Sequence, residues 1–158
     1  MAYIDSDKEG AGPPPKLRND CVLCDKSASN DWSRDLVIFK GDLAFVLLNL
    51  YPYNNGHLMI APHEHVSQYH ALDAALAAEI AYLTQRSITA LGAAFRPDGY
   101  NVGMNLGRVA GAGIADHLHM HVVPRWAGDA NFMPVIGDTK VMPDSLENSY
   151  KKIVEHWK

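Results

Sequence analysis

Cysteine is scarce in this chain: of 158 residues only Cys21 and Cys24 carry thiols, too few and too close together for a disulfide framework. Long apolar runs are missing as well. None approaches the ~20 residues that a membrane-crossing helix needs, and the first residues lack the basic-then-apolar pattern of a secretory leader, so the chain is expected in the cytoplasm with no membrane partner. Positive charge is not in excess, since 14 Lys and Arg face 18 Asp and Glu for a net charge of −4. That balance argues against general nucleic-acid binding, and any phosphate site must be local and built from few groups. No internal repeat is found. Residues 1–20, with Gly10, Gly12 and Pro13-Pro14-Pro15 and little apolar periodicity, read as a flexible arm. Residues 21–158 read as a single domain, and a chain that is 47% hydrophobic has the material for a core.

What is present is concentrated in Asp116-His117-Leu118-His119-Met120-His121-Val122-Val123-Pro124, where histidine occupies every second position and apolar residues fill the gaps. Side chains alternate faces along a strand, so His117, His119 and His121 share one open surface while Leu118, Met120 and Val122 face a core. At the rise of an extended chain, neighbouring histidines lie about 7 Å apart at Cα and the outer two about 13 Å. One metal could hold two of them but not three. The row therefore suits a two-histidine metal site with a spare, or imidazoles working separately as nucleophile, positioner and phosphate ligand; a solvated strand face is the bland alternative.

Around this row the pattern predicts strands over 36–40 and 43–48 flanking a Gly41-Asp42 hairpin turn, and a third over 57–61 after the turn Pro52-Tyr53-Asn54-Asn55-Gly56. Leu76, Ile80, Leu83, Leu91 and Phe95 recur at helical spacing within 71–95, and Pro97 closes that long helix. A strand over 100–106, a glycine-rich loop over 107–115, the histidine strand over 117–123 and a terminal helix over 146–157 complete the chain. Consecutive strands joined by short turns give an antiparallel sheet whose apolar face the helix covers, an α+β architecture.

The pattern His-x-His-x-His-x-x with apolar x, followed by Pro124-Arg125, resembles the histidine triad family of nucleotide-binding hydrolases and transferases. The Ala110-Gly111-Ala112-Gly113 loop, the segment from Asn49 to Gly56-His57-Leu58-Met59-Ile60, and Cys21-Val22-Leu23-Cys24 agree with it, over about 21–129. Gly128-Asp129-Ala130-Asn131-Phe132-Met133-Pro134 is similar to the bacterial branch related to diadenosine polyphosphate phosphorylases and hydrolases. The resemblance implies an HIT-like fold, with a five-stranded antiparallel sheet, one long helix and a C-terminal helix, and a homodimer that joins two sheets into one.

The resemblance also assigns roles that the residues alone leave open. It makes His119 the nucleophile, attacking the α-phosphate of a dinucleoside polyphosphate such as diadenosine tetraphosphate to form a nucleotidyl-histidine intermediate. An imidazole suits this because one nitrogen attacks while the other donates its proton to a fixed acceptor. His121 is implied as the phosphate-contacting histidine and His57 as the residue that buttresses the triad, its alternative being an ordinary core histidine. Gly111, Ala112 and Gly113 offer backbone amides to phosphate oxygens, with Asn105 nearby. Here Ile114 follows Gly113 where many members have a glutamine or hydroxyl residue. Asn49 is implied to meet the ribose, and Phe39 and Leu48 are candidates for the base pocket. Magnesium could accompany the substrate.

The Cys21-x-x-Cys24 spacing lets two thiolates reach one ion, and the resemblance adds His65 and His117 to complete a structural zinc site; His63, two positions earlier, is the competing ligand. Trp126 and Trp157 could cover nucleotide or pack at an interface, while Met59, Met104 and Met120 read as core, Arg125 as a phosphate contact or equally a rim salt bridge, and Arg34 and Lys40 as solvated. Hydrolysis and phosphorolysis are both open. Two further readings are a metal-dependent hydrolase with His117 and His119 as ligands and His121 as acid or base, and a nucleotide-binding regulatory module.

Overall fold

The computed structural model describes residues 20–129 and 144–158. The arm read from residues 1–20, apart from Asp20, and the stretch Ala130 to Pro134 of the resemblance lie outside the described residues. The elements in chain order are α1 (Val22–Ala28), β1 (Val37–Lys40), β2 (Ala44–Leu48), β3 (Leu58–Pro62), α2 (Ala74–Phe95), β4 (Gly99–Gly103), β5 (Met120–Arg125) and α3 (Leu146–His156). The strands form one antiparallel sheet in the order β1-β2-β3-β5-β4. Fold class, strand count and both predicted helices are as the sequence implied.

Two apolar layers sandwich the middle of the sheet. On one face Val46, Leu48, Leu58, Ile60 and Val122 meet Ile80, Leu83 and Leu91 of α2 and Ile153 of α3. On the other, Phe45, Leu47, Met59 and Ala61 meet Leu23, Cys21 and Cys24 at α1. All five residues of β2 and of β3 are consequently buried, and each large aliphatic removed from water there contributes about 1.5–3 kcal/mol. This two-sided burial explains why both strands read as continuous apolar runs rather than alternations.

Local chemistry sets the boundaries. Asp73 caps α2 by accepting the Leu76 N–H at 2.7 Å, three residues later than the periodicity suggested, because 69–71 form a separate 3₁₀ turn. The helix ends at Arg96, left-handed just before Pro97. Ser145 caps α3 through the Asn148 N–H. The Glu79 carboxylate of α2 accepts the amides of Leu43 and Ala44 and so docks the β1–β2 hairpin on the helix.

Helix α1 is absent from the sequence reading. Its C-terminal carbonyls are held by Lys40, whose Nζ donates to Ser27 O at 2.6 Å and Ser29 O at 2.5 Å; Lys40, expected in solvent, is a fastener, whereas Arg34 is exposed and paired with Asp35. The histidine strand also begins later than expected, at Met120, with His117 and His119 in the segment leading into it. A bulge between Val37 and Phe39 turns Phe39 toward the helix layer. There it lies 5.6 Å from the Trp157 ring, away from any base pocket. Among the described residues no helix is long and apolar enough to cross a membrane.

Candidate active site and metal cluster

The turn from β2 to β3 brings its residues beside the histidine row. Gly56 sits in it at φ +72°, a left-handed conformation that glycine adopts without cost, and a Cβ there would come within 2.9 Å of the Phe95 ring and 3.0 Å of Leu91. The turn is closed by Asn49 N–H donating to His57 O at 2.9 Å and His57 N–H donating to Asn54 O at 3.2 Å. Register then places Met59 opposite His121.

The imidazoles are buried rather than displayed on an open face: His57 and His117 are fully buried, and His119 and His121 are 6% and 9% exposed. Their tautomers follow from their partners. His119 Nδ1 lies 2.9 Å from the carbonyl of His117, so Nδ1 carries the proton and Nε2 the lone pair. At His57, Nδ1 receives the Tyr53 backbone N–H at 3.0 Å. The Asn49 amide, oriented by its Oδ1 accepting the Tyr51 N–H, reaches the same nitrogen at 3.3 Å. His57 Nε2 must therefore hold the proton, which it donates to His121 Nδ1 at 2.8 Å. His121 is left with its own proton on Nε2. Burial, then the neighbouring His119, pushes the His121 imidazole down to about 4, so the ring is neutral near pH 7.

His119 and His121 open onto a pocket lined otherwise by Val22, Leu23 and Lys26 of α1, by the 47–51 stretch, and by Tyr53, Met59, Gly113 and Ile114. The walls are mostly apolar with a few polar groups at one end, the usual make-up of a small-molecule site. Asn49 and Leu48 line it, and so does Met59. Gly113 is the part of the glycine loop that reaches the pocket. The amides of Gly111 and Ala112 turn back on the carbonyls of Arg108 and Gly107, and Asn105 braces the loop at Gly111 O. Lys26, unnoticed in the sequence, donates to Asp35 O at 2.8 Å, and burial pushes its ammonium down.

Behind the pocket, Cys21, Cys24, His65 and His117 place one ligand atom each within 4.8 Å of one another, the one such cluster among the described residues. Cys24 Sγ stands 3.2 Å from His65 Nδ1 and 3.5 Å from His117 Nδ1, and Cys21 Sγ stands 3.4 Å from the latter. His117 Nε2 donates to Pro62 O at 3.0 Å, which leaves Nδ1 unprotonated for a cation. The cluster can hold a metal ion. His63 does not join it: its ring bonds Ser27 Oγ at 2.7 Å and Gly41 O at 3.1 Å and stacks on Phe45. His119 is not part of the cluster, so joint ligation by His117 and His119 finds no support in the geometry. Nothing among the described residues supports magnesium.

Arg125 forms the salt bridge that the sequence allowed: its Nε and Nη2 pair with the Asp129 carboxylate at 2.6 and 2.7 Å.

A sequence profile described as the HIT domain matches residues 32–128. The chain is 47% identical over 122 residues to the AP-4-A phosphorylase of Mycobacterium tuberculosis, a match covering 77% of this chain and 63% of that relative, so it spans under two thirds of the relative's length. A histidine triad family protein from Mycobacterium smegmatis, solved with zinc bound, superposes with a TM-score of 0.69 at 23% identity, covering 88% of this chain and 94% of the other; it bears on the fold alone. A hypothetical histidine triad nucleotide-binding protein from Sulfolobus tokodaii superposes at 0.67 and 26% identity, covering 86% and 91%.

Proposed function

Because this chain belongs to the HIT-domain family, we propose that it cleaves dinucleoside polyphosphates, such as diadenosine tetraphosphate, at the α-phosphate through a nucleotidyl-His119 intermediate. The observation that carries this reading is the 2.9 Å bond from His119 Nδ1–H to His117 O, which commits Nε2 as the nucleophile of an imidazole lining the pocket. In the first step Nε2 bonds the α-phosphorus and the bond to the departing nucleoside polyphosphate breaks. The ring keeps its Nδ1 proton throughout, so it leaves as neutral imidazole when the acceptor attacks phosphorus in the second step. His121 Nε2–H and the Gly113 amide stabilise the transferred phosphoryl group, Asn49 meets the ribose, and the apolar wall around Leu47, Leu48 and Val22 takes the base.

The acceptor is water or inorganic phosphate. The name of the Mycobacterium tuberculosis relative favours phosphate. Product analysis of diadenosine tetraphosphate separates the two: AMP plus ATP without phosphate identifies a hydrolase, and ADP plus ATP only with phosphate identifies a phosphorylase. His119→Ala abolishes either reaction while nucleotide binding remains; an unchanged rate in that variant refutes covalent catalysis.

Zinc is the metal we assign to the cluster, since two thiolates and two imidazoles make a closed tetrahedral set that is structural, with no position left for substrate. Its contribution is to tie α1 to the segment leading into β5. Such thiolates require a reducing compartment, in keeping with a cytoplasmic protein. We further take residues 21–158 as one domain, supported by Ile153 of α3 lying in the same core as α2. The domain forms a homodimer: β4 pairs only with β5 among the described residues, and its Asn101, Val102 and Gly103 are exposed along an edge that a second copy can extend.

A further inference from the structure

The segment after β5 reaches back to the turn that holds His57. Asp129 Oδ2 accepts from Arg125 Nε at 2.6 Å, from the Trp126 N–H at 3.0 Å and from Asn54 Nδ2 at 2.8 Å, while Oδ1 accepts from Arg125 Nη2 at 2.7 Å. This is more than a surface ion pair. The Asp129 side chain is 11% exposed against 43% for Arg125, and the four donors hold its carboxyl well below the usual carboxylate range, the bonds from Arg125 first. Arg125 is itself anchored to Asn101 Oδ1 of β4 at 2.6 Å. The remaining hydrogen of the Asn54 amide goes to Pro124 O at 3.1 Å. One side chain of the turn is thus clamped between a strand carbonyl and a carboxylate seventy or more positions away in sequence.

What that clamp holds in place is the backbone on either side of Asn54. Tyr53, just before it, supplies the N–H on His57 Nδ1. Asn54 O receives the His57 N–H. The Tyr53 ring lies 4.7 Å from His57 and 5.7 Å from His121. If the turn drifts, the 3.0 Å Tyr53 donor on Nδ1 is lost and only the longer 3.3 Å contact from the Asn49 amide opposes a proton there, so His57 can place its proton on Nδ1 and accept at Nε2. His121 Nδ1 would then have to donate, leaving its Nε2 without the proton that faces the pocket. The two tautomer pairs differ only in where two protons sit, so the choice rests on the donors that bias it.

We propose that Asp129 and Asn54 are positioning residues for the His57–His121 pair: by fixing the turn they keep the Tyr53 N–H on His57 and so decide which nitrogen of His121 carries its proton. The inference rests on the proposed role of His121 as a phosphate donor for its effect on rate, but not for its effect on tautomer.

The test is long-range ¹H–¹⁵N correlation of the imidazole nitrogens in full-length, zinc-loaded protein, beside turnover of diadenosine tetraphosphate. In the wild type His57 and His121 both show the Nε2–H tautomer. Asn54→Ala shifts both toward the Nδ1–H form and lowers turnover in proportion to the Nε2–H fraction lost, roughly tenfold where about a tenth of His121 keeps it. Asp129→Asn, which conserves volume, does the same to a smaller degree and keeps the test open where the alanine variant fails to fold. Pure Nε2–H signals in a folded variant of either kind overturn the proposal, while a shifted tautomer with unchanged turnover upholds the positioning and overturns the phosphate-donor role of His121. A wild type inactive on every dinucleotide overturns the proposed function instead, and the tautomers alone then decide this inference.

Discussion

The carbonyl oxygen of His117 accepts the Nδ1–H of His119 at 2.9 Å, so the residue whose ring joins the sulfur cluster also orients the imidazole two positions on. Structural ligation and the proposed chemistry are adjacent steps along one short piece of backbone. Whatever loosens the cluster loosens the carbonyl that sets the His119 tautomer.

Metal removal should therefore act on stability first and on rate second. Cys24→Ala is expected to bring zinc below one per chain by elemental analysis and to lower the melting midpoint by more than about 5 °C, because ligand binding energy is folding energy in such sites. Turnover should fall less steeply than stability and recover in chelated wild type when zinc is restored. Full zinc content in the variant would show the ligand set to be wrong.

His121 predicts an acid-side loss of stability. Its imidazole is pushed down to about 4 in the folded protein, whereas in the unfolded chain it titrates near 6.5. The unfolded state thus binds the extra proton first as pH falls, and stability, complete above about pH 6.5, drains away between there and about pH 4, by on the order of 3 kcal/mol. His121→Asn should show a flatter dependence in denaturant melts across that window. Equal slopes in the two proteins would mean that burial does not disfavour the charged ring.

Gly56→Ala combines a left-handed backbone with a Cβ pressed against Phe95 and Leu91. A cost of about 2 kcal/mol or more is expected in chemical denaturation. Turnover should fall as well, since the strained turn carries Tyr53 and Asn54. A variant as stable as the parent would mean that α2 yields at this point.

Ile153→Ala tests whether α3 belongs to the same folding unit as the sheet. The side chain is fully buried in the helix-side core, and its truncation should cost about 2–5 kcal/mol in a single cooperative transition. Two separate transitions, or no loss, would detach α3 from the domain.

Much of this was legible because the relevant patterns are local and strong. The Cys21–Cys24 spacing meets His65 and His117 in one cluster and the apolar periodicity from Leu76 to Phe95 packs on the sheet, while the three alternating histidines, expected on an open strand face, lie buried. Helix α1 was not legible: it has seven residues, and the Cys21 side chain makes no capping bond to its first turn. Phe39 was misplaced since a bulge, invisible in a run of apolar residues, rotates it to the other face. The start of β5 was set too early because alternation marks extended backbone whether or not a neighbour pairs with it. Asp129 and Asn54 were unreadable for a deeper reason: their bond joins positions 75 apart and belongs to no motif.

Strand β2 has an implication for how this protein tolerates change. Phe45 and Leu47 press toward the thiols and imidazoles, while Ala44, Val46 and Leu48 press toward the helices. Neighbouring codons therefore answer to different tasks. In a saturation screen, truncations at 45 and 47 should register as lost metal occupancy, and those at 46 as a melted helical layer, a defect map that alternates residue by residue along one strand.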